Sequence, residues 1–138
     1  MIKQYKQIDM SGDVGLKVWG QTLEELFENA ATGLSELITD VSALPETETR
    51  EVHVVADSSE DLLVLWLNEL VFLFDSDNYV GRSFAVSIAD KKLKAKISGT
   101  TFDPSEYESR LLIKAATYHD LTVCKTSTGW EATVIFDI

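Results

Sequence analysis

Apolar and polar positions alternate along much of this chain, and this period of two indicates strands that bury one face. The predicted strands lie at 14–19, 51–57, 84–88, 92–97, 121–126 and 130–136. Asp90 and Lys91 separate the third strand from the fourth, and residues 127–129 separate the fifth from the sixth. Each of these two pairs is therefore a predicted β-hairpin.

Two other stretches carry apolar residues at steps of three and four, the period of an amphipathic helix. At the start of the first, Thr22 and Glu25 form a capping box, in which the hydroxyl accepts from the third amide and the carboxylate accepts from the cap amide. The second is capped by Ser58 or Ser59 and runs to about Phe74. Its apolar residues cover far more than one stripe, so we expect this helix to be central.

Together these elements predict a single α+β domain over residues 1–138, with an antiparallel or mixed β-sheet of about six or seven strands packed with two main α-helices. Residues 2–8 suit a first strand. Residues 41–49 and 99–108 are predicted to be loops, because they lack an apolar period. Residues 110–118 fit a helix or a strand, and their β-branched content favours a strand.

The composition limits the functions that the chain can have. Its formal net charge of −11 repels a phosphate backbone, so we expect no strong direct binding of nucleic acid. An acidic surface can still dock on a basic protein that itself handles RNA or DNA. No apolar run suits a signal peptide or a membrane span.

The cysteine count points to a reducing compartment. Cys124 is the only cysteine, which excludes an intrachain disulfide and a cysteine-cluster zinc site. We therefore expect a cytoplasmic protein. Cys124 lies in a predicted strand beside Val123, and we expect it to pack there as a small apolar side chain.

Two carboxylates are brought together by a short polar linker. Asp9 and Asp13 bracket Ser11 and Gly12, and this stretch can fold back on itself. Calcium, magnesium and manganese prefer such oxygen ligands, although the same residue types also suit a plain turn. Asp137 is a candidate third ligand if the last strand lies beside the first, which periodicity does not decide.

The other chemically active side chains have ordinary explanations. His53 and His119 are expected at the surface, and the row Lys92, Lys94 and Lys96 is expected to be a solvated strand face. No catalytic signature such as a P-loop or a nucleophile elbow is present. Lys114 differs, because it interrupts an apolar run and either reaches solvent or lies near carboxylates, with the acidic cluster as an obvious partner.

Several separated blocks resemble the archease family, from about Tyr5 to Ile138. The matching blocks are Asp9-Met10-Ser11-Gly12-Asp13-Val14-Gly15 against the family's D-H-[TS]-A-D-[IV]-G, Trp19-Gly20, Thr22-Leu23-Glu24-Glu25-Leu26-Phe27, Leu62-Leu63 with Trp66-Leu67-Asn68-Glu69-Leu70, Ile113-Lys114-Ala115-Ala116-Thr117-Tyr118-His119 and Asp137-Ile138. Their number and order make this resemblance far more specific than any single motif.

The resemblance implies a metal-binding protein cofactor and not a freestanding enzyme. Such a protein activates an RtcB-type RNA ligase by promoting guanylylation of the ligase histidine with GTP and multiple turnover, in tRNA splicing or RNA repair. The family's metal-binding aspartates map onto Asp9, Asp13 and Asp137, and its lysine maps onto Lys114, which we expect to orient them. The implied cofactor is a divalent cation: calcium, magnesium or manganese.

The chain departs from the family at two positions of the first motif. Met10 stands where the family usually has histidine, and Gly12 replaces the common alanine. A thioether neither donates a hydrogen bond nor titrates, so any contact made by that histidine is missing here. Two other functions stay open: a metal-dependent hydrolase, and an ion-independent chaperone or scaffold.

Overall fold

The computed structural model describes residues 4–138, apart from the side chain of Met10. Within that range the helices are α1 Leu23–Ile38 and α2 Ser59–Asp77, with a short 3₁₀ helix at Val41–Ala43. The strands are β1 Tyr5–Met10, β2 Asp13–Gly20, β3 Glu48–Val55, β4 Tyr79–Ala89, β5 Lys92–Thr101, β6 Ala115–Ala116, β7 Thr122–Thr126 and β8 Gly129–Asp137. The predicted α+β class is confirmed. Of the strand expected at 2–8, residues 2 and 3 lie outside the described range.

The strands form two antiparallel sheets, whereas the sequence suggested one. In the larger sheet β2 and β8 are central, β1 flanks β2, and both β6 and β7 pair with β8. In the smaller sheet β5 lies between β3 and β4. The edge of β4 is covered by α1, because Glu28 Oε2 accepts a hydrogen bond from Val86 N–H at 2.8 Å. This carboxylate takes the place that another strand would occupy.

The capping residues begin α1 where the sequence predicts. Thr22 Oγ1 accepts from Glu25 N–H at 3.1 Å. Glu25 Oε1 accepts from the N–H of Gln21 at 3.3 Å, one residue before the expected cap amide. The apolar stripe of α1 is buried, and the indole N–H of Trp66 on α2 donates to the carbonyl of Phe27 at 3.1 Å. The two helices are thus joined inside the core.

One cluster of buried side chains draws on both helices and both sheets. Phe27, Trp66 and Phe136 each have no exposed surface. Burying an aromatic side chain of this size stabilises a fold by about 1.5–3 kcal/mol or more. Phe136 therefore fixes the end of β8, and with it the neighbouring Asp137, to the core.

Several element boundaries differ from the sequence prediction. β4 begins at Tyr79 and not at 84, and β5 runs to Thr101, into the loop expected at 99–108. α2 continues past Phe74 to Asp77, and Asn78 then ends it with a left-handed φ of 54°. The loop expected at 41–49 contains the 3₁₀ helix and the start of β3, which occupies Glu48–Val55. Among the described residues no helix, α2 included, is long and apolar enough to cross a membrane.

The strand expected at 110–118 is reduced to β6, and no part of the stretch is helical. The N–H of Arg110 donates to the carbonyl of Ile38, and that of Leu111 donates to the carbonyl of Leu37, each at 3.0 Å. These contacts satisfy carbonyls at the end of α1 that have no partner within the helix. The start of the stretch therefore completes α1 and does not join a sheet.

The expectation that Cys124 packs inside is wrong, because its side chain is exposed on β7. Its neighbour Val123 is the residue that packs against the core. The alternation of side chains along β7 allows either Val123 or Cys124 to face the core. Val123, the larger apolar side chain, occupies the buried face.

Candidate functional site

The acidic linker forms a tight turn between β1 and β2. Met10 pairs with Asp13 across the hairpin, so Ser11 and Gly12 make a two-residue loop. Gly12 has a φ of 81°, in the left-handed region that favours glycine. The fold-back predicted from the sequence is confirmed.

The pairing of β2 with β8 brings a second carboxylate to this end of the sheet. Val14 lies opposite Phe136, and one further step of the register sets Asp13 opposite Asp137. Opposite residues in an antiparallel pair have Cβ atoms about 5 Å apart. The last strand thus lies beside the strand that begins with Asp13, an arrangement that periodicity left open.

Asp13 and Asp137 lie on the sheet face that points away from α1. A Cβ on Gly15 would lie 2.9 Å from Ile8 Cγ1 and 2.8 Å from Ile135 Cδ1, so these three residues share one face. Because side chains alternate along a strand, Asp13 shares the face of Gly15, and Asp137 shares the face of Ile135. The two carboxylates, of which Asp137 is exposed and Asp13 is half-buried, are neighbours on one corner of the sheet, which we call the acidic corner.

Asp9 lies on the opposite face of the same sheet. It pairs with Val14, whose side chain is buried in the core beside α1. Gln7 Nε2 donates to Asp9 Oδ1 at 3.1 Å, and both side chains are exposed. A cleft of about 300 Å³ opens between β1 and α1, lined by Tyr5, Lys6, Gln7, Leu16, Gly33, Glu36, Leu37 and Arg110. Asp9 therefore points to the side of the sheet that carries this cleft, and not to the side that carries the acidic corner.

The acidic corner has the chemistry of a cation site with two oxygen ligands. Within residues 4–138, no ion pair includes Asp9, Asp13 or Asp137. In the same range no three His, Cys, Asp or Glu side chains gather closely enough to hold a metal ion. Two of the predicted ligands are thus together, and the set of three stays a prediction.

Lys114 adjoins the acidic corner through its backbone. Its N–H donates to the carbonyl of Asp137 at 2.9 Å, and the next residue, Ala115, pairs with Asp137 in register. The lysine side chain is exposed, and among the described residues no ion pair joins it to a carboxylate. The ammonium group is therefore within reach of solvent and of a binding partner.

Asn68 supports the acidic corner from behind, a role that the sequence did not reveal. Its side-chain Oδ1 accepts from Ala116 N–H at 2.8 Å, and its Nδ2 donates to the Ala116 carbonyl at 3.2 Å. Asn68 is one of the few polar residues in the middle of α2, which was the available signal, but its partner lies 48 residues away. Through β6, this side chain holds the backbone that pairs with Asp137.

The remaining candidate residues lie elsewhere on the surface. His53 is exposed on β3, and His119 Nε2 lies 3.3 Å from Asp120 Oδ2 in an exposed turn. Lys92, Lys94 and Lys96 are exposed on β5, as expected of a solvated face.

Comparison with known proteins identifies the family. The model of the archease protein family (MTH1598/TM1083) matches residues 5–138. The protein archease of Methanosarcina barkeri is 36% identical over 141 residues, which cover 99% of this chain and 97% of that relative. The protein archease of Pyrococcus abyssi is 36% identical over 142 residues, with 99% and 100% covered.

Solved structures agree with this result. The solution structure of Methanobacterium thermoautotrophicum protein 1598 matches with a TM-score of 0.84 and 30% identity, over 99% of this chain and 100% of that one. The crystal structure of an archease and possible chaperone from Thermotoga maritima matches with a TM-score of 0.67 and 21% identity over 96% of each chain, and shows the fold alone. The resemblance seen in the motifs is confirmed, and the chain belongs to the archease family.

Proposed function

We propose that this protein is a metal-binding cofactor that activates an RtcB-type RNA ligase. It would promote guanylylation of the ligase with GTP and multiple turnover, in tRNA splicing or RNA repair. The observation that carries the proposal is the pairing of Val14 with Phe136, which one further step extends to Asp13 beside Asp137. Family membership supplies the expected partner, and the cytoplasm is the expected location.

The carboxylates of Asp13 and Asp137 would be the direct oxygen ligands of a calcium, magnesium or manganese ion. A bound divalent cation supplies neutralisation of phosphate charge during nucleotidyl transfer. Asp9 belongs to the family's ligand set, but it lies on the other face of the sheet, so we expect it to contribute less than the other two. Lys114 anchors the carbonyl of Asp137, and its ammonium is free to approach a carboxylate or a phosphate.

The net charge of the chain indicates which of the two proteins would bind the nucleotide and the RNA. With a net charge of −11, this chain repels RNA and nucleotides. The ligase would therefore hold GTP and RNA, and this protein would bring the acidic corner to the ligase. Opposite potentials on the two surfaces would speed their encounter.

Two other functions are distinguishable from this one. A metal-dependent hydrolase needs a base or a nucleophile beside the carboxylates. Ala115 and Ile135, which share the face of Asp137, supply none, and Lys114 is a nearby titratable side chain. An ion-independent chaperone or scaffold is the second candidate, since the Thermotoga maritima relative is described as a possible chaperone. That candidate would bind its partner equally well in the presence of a chelator.

The test uses this protein and a purified RtcB-type ligase from the same source. Labelled GTP and a divalent metal are added, and the covalent ligase–nucleotide adduct is followed over time. We expect the protein to accelerate adduct formation and a chelator to remove the acceleration. A competent ligase that gains nothing from the protein would refute the proposal, and turnover of phosphoesters by the protein alone would favour the hydrolase.

A further inference from the structure

The extended segment 111–118 runs antiparallel along α2. Leu112 and Phe74 line the same cavity of about 140 Å³, and Asn68 is hydrogen-bonded to Ala116. Nearer the start of α2, burial and then the neighbouring Asp61 carboxylate raise the pKa of the Tyr118 hydroxyl. The contacts of the segment therefore move towards the start of α2 as the segment runs towards its own C-terminal end. The helix and the segment thus lie side by side along their length.

Large apolar side chains are exposed along these two elements. Leu65 and Phe72 are 41% and 61% exposed, and they share one face of α2 because they are two helical turns apart. On the segment, Leu112 and Tyr118 are 66% and 58% exposed. Singly exposed apolar residues are ordinary, whereas four on two elements packed against each other are typical of an interaction site. We call Leu65, Phe72, Leu112 and Tyr118 the apolar seam.

Acidic side chains surround the apolar seam. α2 carries the acidic residues Glu60, Asp61, Glu69, Asp75 and Asp77, of which Asp77 is paired with Arg50, and it has no lysine, arginine or histidine. Glu69 is exposed between Leu65 and Phe72 on the same helix face. The nearby cations are Lys114 and Arg110, and Arg110 is already paired with Glu36 and Glu108. A second copy of this chain would bring another acidic helix to this surface and be repelled.

The apolar seam is continuous with the acidic corner. The middle of segment 111–118 is β6, where Ala115 pairs with Asp137 and Lys114 N–H donates to the Asp137 carbonyl. A protein that meets the corner with its active site therefore lies alongside the seam as well. An enzyme that holds an RNA backbone needs a basic surface around its active site.

We propose that the apolar seam is a docking surface for the same RNA ligase, which would cover it with an apolar patch ringed by lysine and arginine. This inference rests on the proposed function. Phe72 would be the main anchor, because buried aromatic residues carry much of the energy of an interface. Glu69 and Asp61 would select the basic rim and repel acidic proteins.

The experiment measures the affinity of the ligase for the intact protein and for Phe72→Ser, Leu65→Ser and Glu69→Lys. Val55→Ser is the matched control, because Val55 is 66% exposed on β3, in the smaller sheet, and belongs to neither element of the seam. We expect Phe72→Ser to raise Kd by about tenfold or more, Leu65→Ser to raise it less, and Val55→Ser to leave it unchanged. Glu69→Lys should raise Kd and weaken its dependence on salt.

Thermal unfolding tests whether each variant is folded, and we expect all of them to be, because the substituted side chains are exposed.

The rate of adduct formation is measured as well. At a saturating concentration, the Phe72→Ser variant should restore the full rate, because the substitution impairs docking and not chemistry. If the intact protein binds and activates the ligase but Phe72→Ser and Leu65→Ser bind it equally well, the seam is not the docking surface. The proposed function stands in that case. Failure of the intact protein to bind overturns both. Sedimentation experiments test for a dimer of this protein. A dimer that is lost in Phe72→Ser would show that a second copy covers the apolar seam, and would overturn the proposal that the ligase does.

Discussion

Asn68 and Ala116 exchange two hydrogen bonds, one to the backbone N–H at 2.8 Å and one to the backbone carbonyl at 3.2 Å. A single side chain on α2 thus replaces the partner strand that β6 lacks on its outer edge. Because β6 pairs with β8 at Asp137, the amide links the core helix to the acidic corner. Asn68 is a positioning residue, and it touches none of the carboxylates.

Asn68→Ala should lower the free energy of unfolding by about 1–3 kcal/mol, because two half-buried backbone groups lose their partner. Urea unfolding measures this change. Glu69→Ala, at the exposed neighbouring position, is the control and should stay within about 0.5 kcal/mol of the unmodified protein. An Asn68→Ala variant as stable as the control would show that these hydrogen bonds do not hold β6.

Asp13→Asn and Asp137→Asn should each weaken the binding of a divalent cation by about tenfold or more, because each removes a charged oxygen ligand. Asp9→Asn should weaken it less, since Asp9 lies on the opposite face of the sheet. Glu131→Gln, an exposed carboxylate elsewhere on β8, serves as the control. Calorimetric titration with calcium, manganese and magnesium measures the affinities. Equal losses for Asp9→Asn and Asp13→Asn would show that the register does not predict the ligands.

Stability should depend on pH through Asp77. Arg50 Nη1 donates to Asp77 Oδ2 at 2.8 Å, and this hydrogen bond holds the pKa of the Asp77 carboxyl below its ordinary value. A lowered pKa in the folded state means that the contribution is present above the ordinary carboxyl pKa, near 4, and is lost as the pH falls through the folded value. Asp77→Asn should therefore be less stable than the unmodified protein at neutral pH and equal to it in acid.

Urea unfolding at a series of pH values tests this dependence. Asp75→Asn is the matched control, because Asp75 is exposed near the same helix end and takes part in no ion pair among the described residues. A stability difference for Asp77→Asn that stays constant from neutral pH to acid would contradict the role of the Arg50 contact.

Cys124 should react with a disulfide reagent such as Ellman's reagent in the native protein. Its side chain is exposed on β7, so access does not require unfolding. The release of the coloured thiolate counts one cysteine per chain, and its rate should approach that in denaturant. A thiol that reacts only after denaturation would show that the strand buries this face.

Local features of the fold were predictable from the sequence. The alternation at Val14, Leu16 and Val18 and the capping by Thr22 depend on residues close together in the chain. The same holds for the hairpin at Asp90 and Lys91, whose φ values of 53° and 63° suit a tight turn. Such features follow from short-range sterics and hydrogen bonding, so a single sequence contains their signals.

Long-range pairing was not predictable. The sequence left open which strand β8 joins, and only the register of Val14 with Phe136 brings Asp13 to Asp137. Arg110 lies in a stretch that resembles a strand, yet its N–H completes the end of α1. These partners are chosen by the global packing of the chain, which local periodicity does not contain.

The rate of ligase–nucleotide adduct formation in the presence of point variants tests the role of the acidic corner most directly. Asp13→Asn, Asp137→Asn and the control Glu131→Gln are compared with the intact protein at saturating concentration and fixed divalent metal. We expect the control to match the intact protein and both aspartate variants to lose most of the acceleration. Full acceleration by Asp13→Asn and Asp137→Asn would contradict activation through a cation held between these two carboxylates.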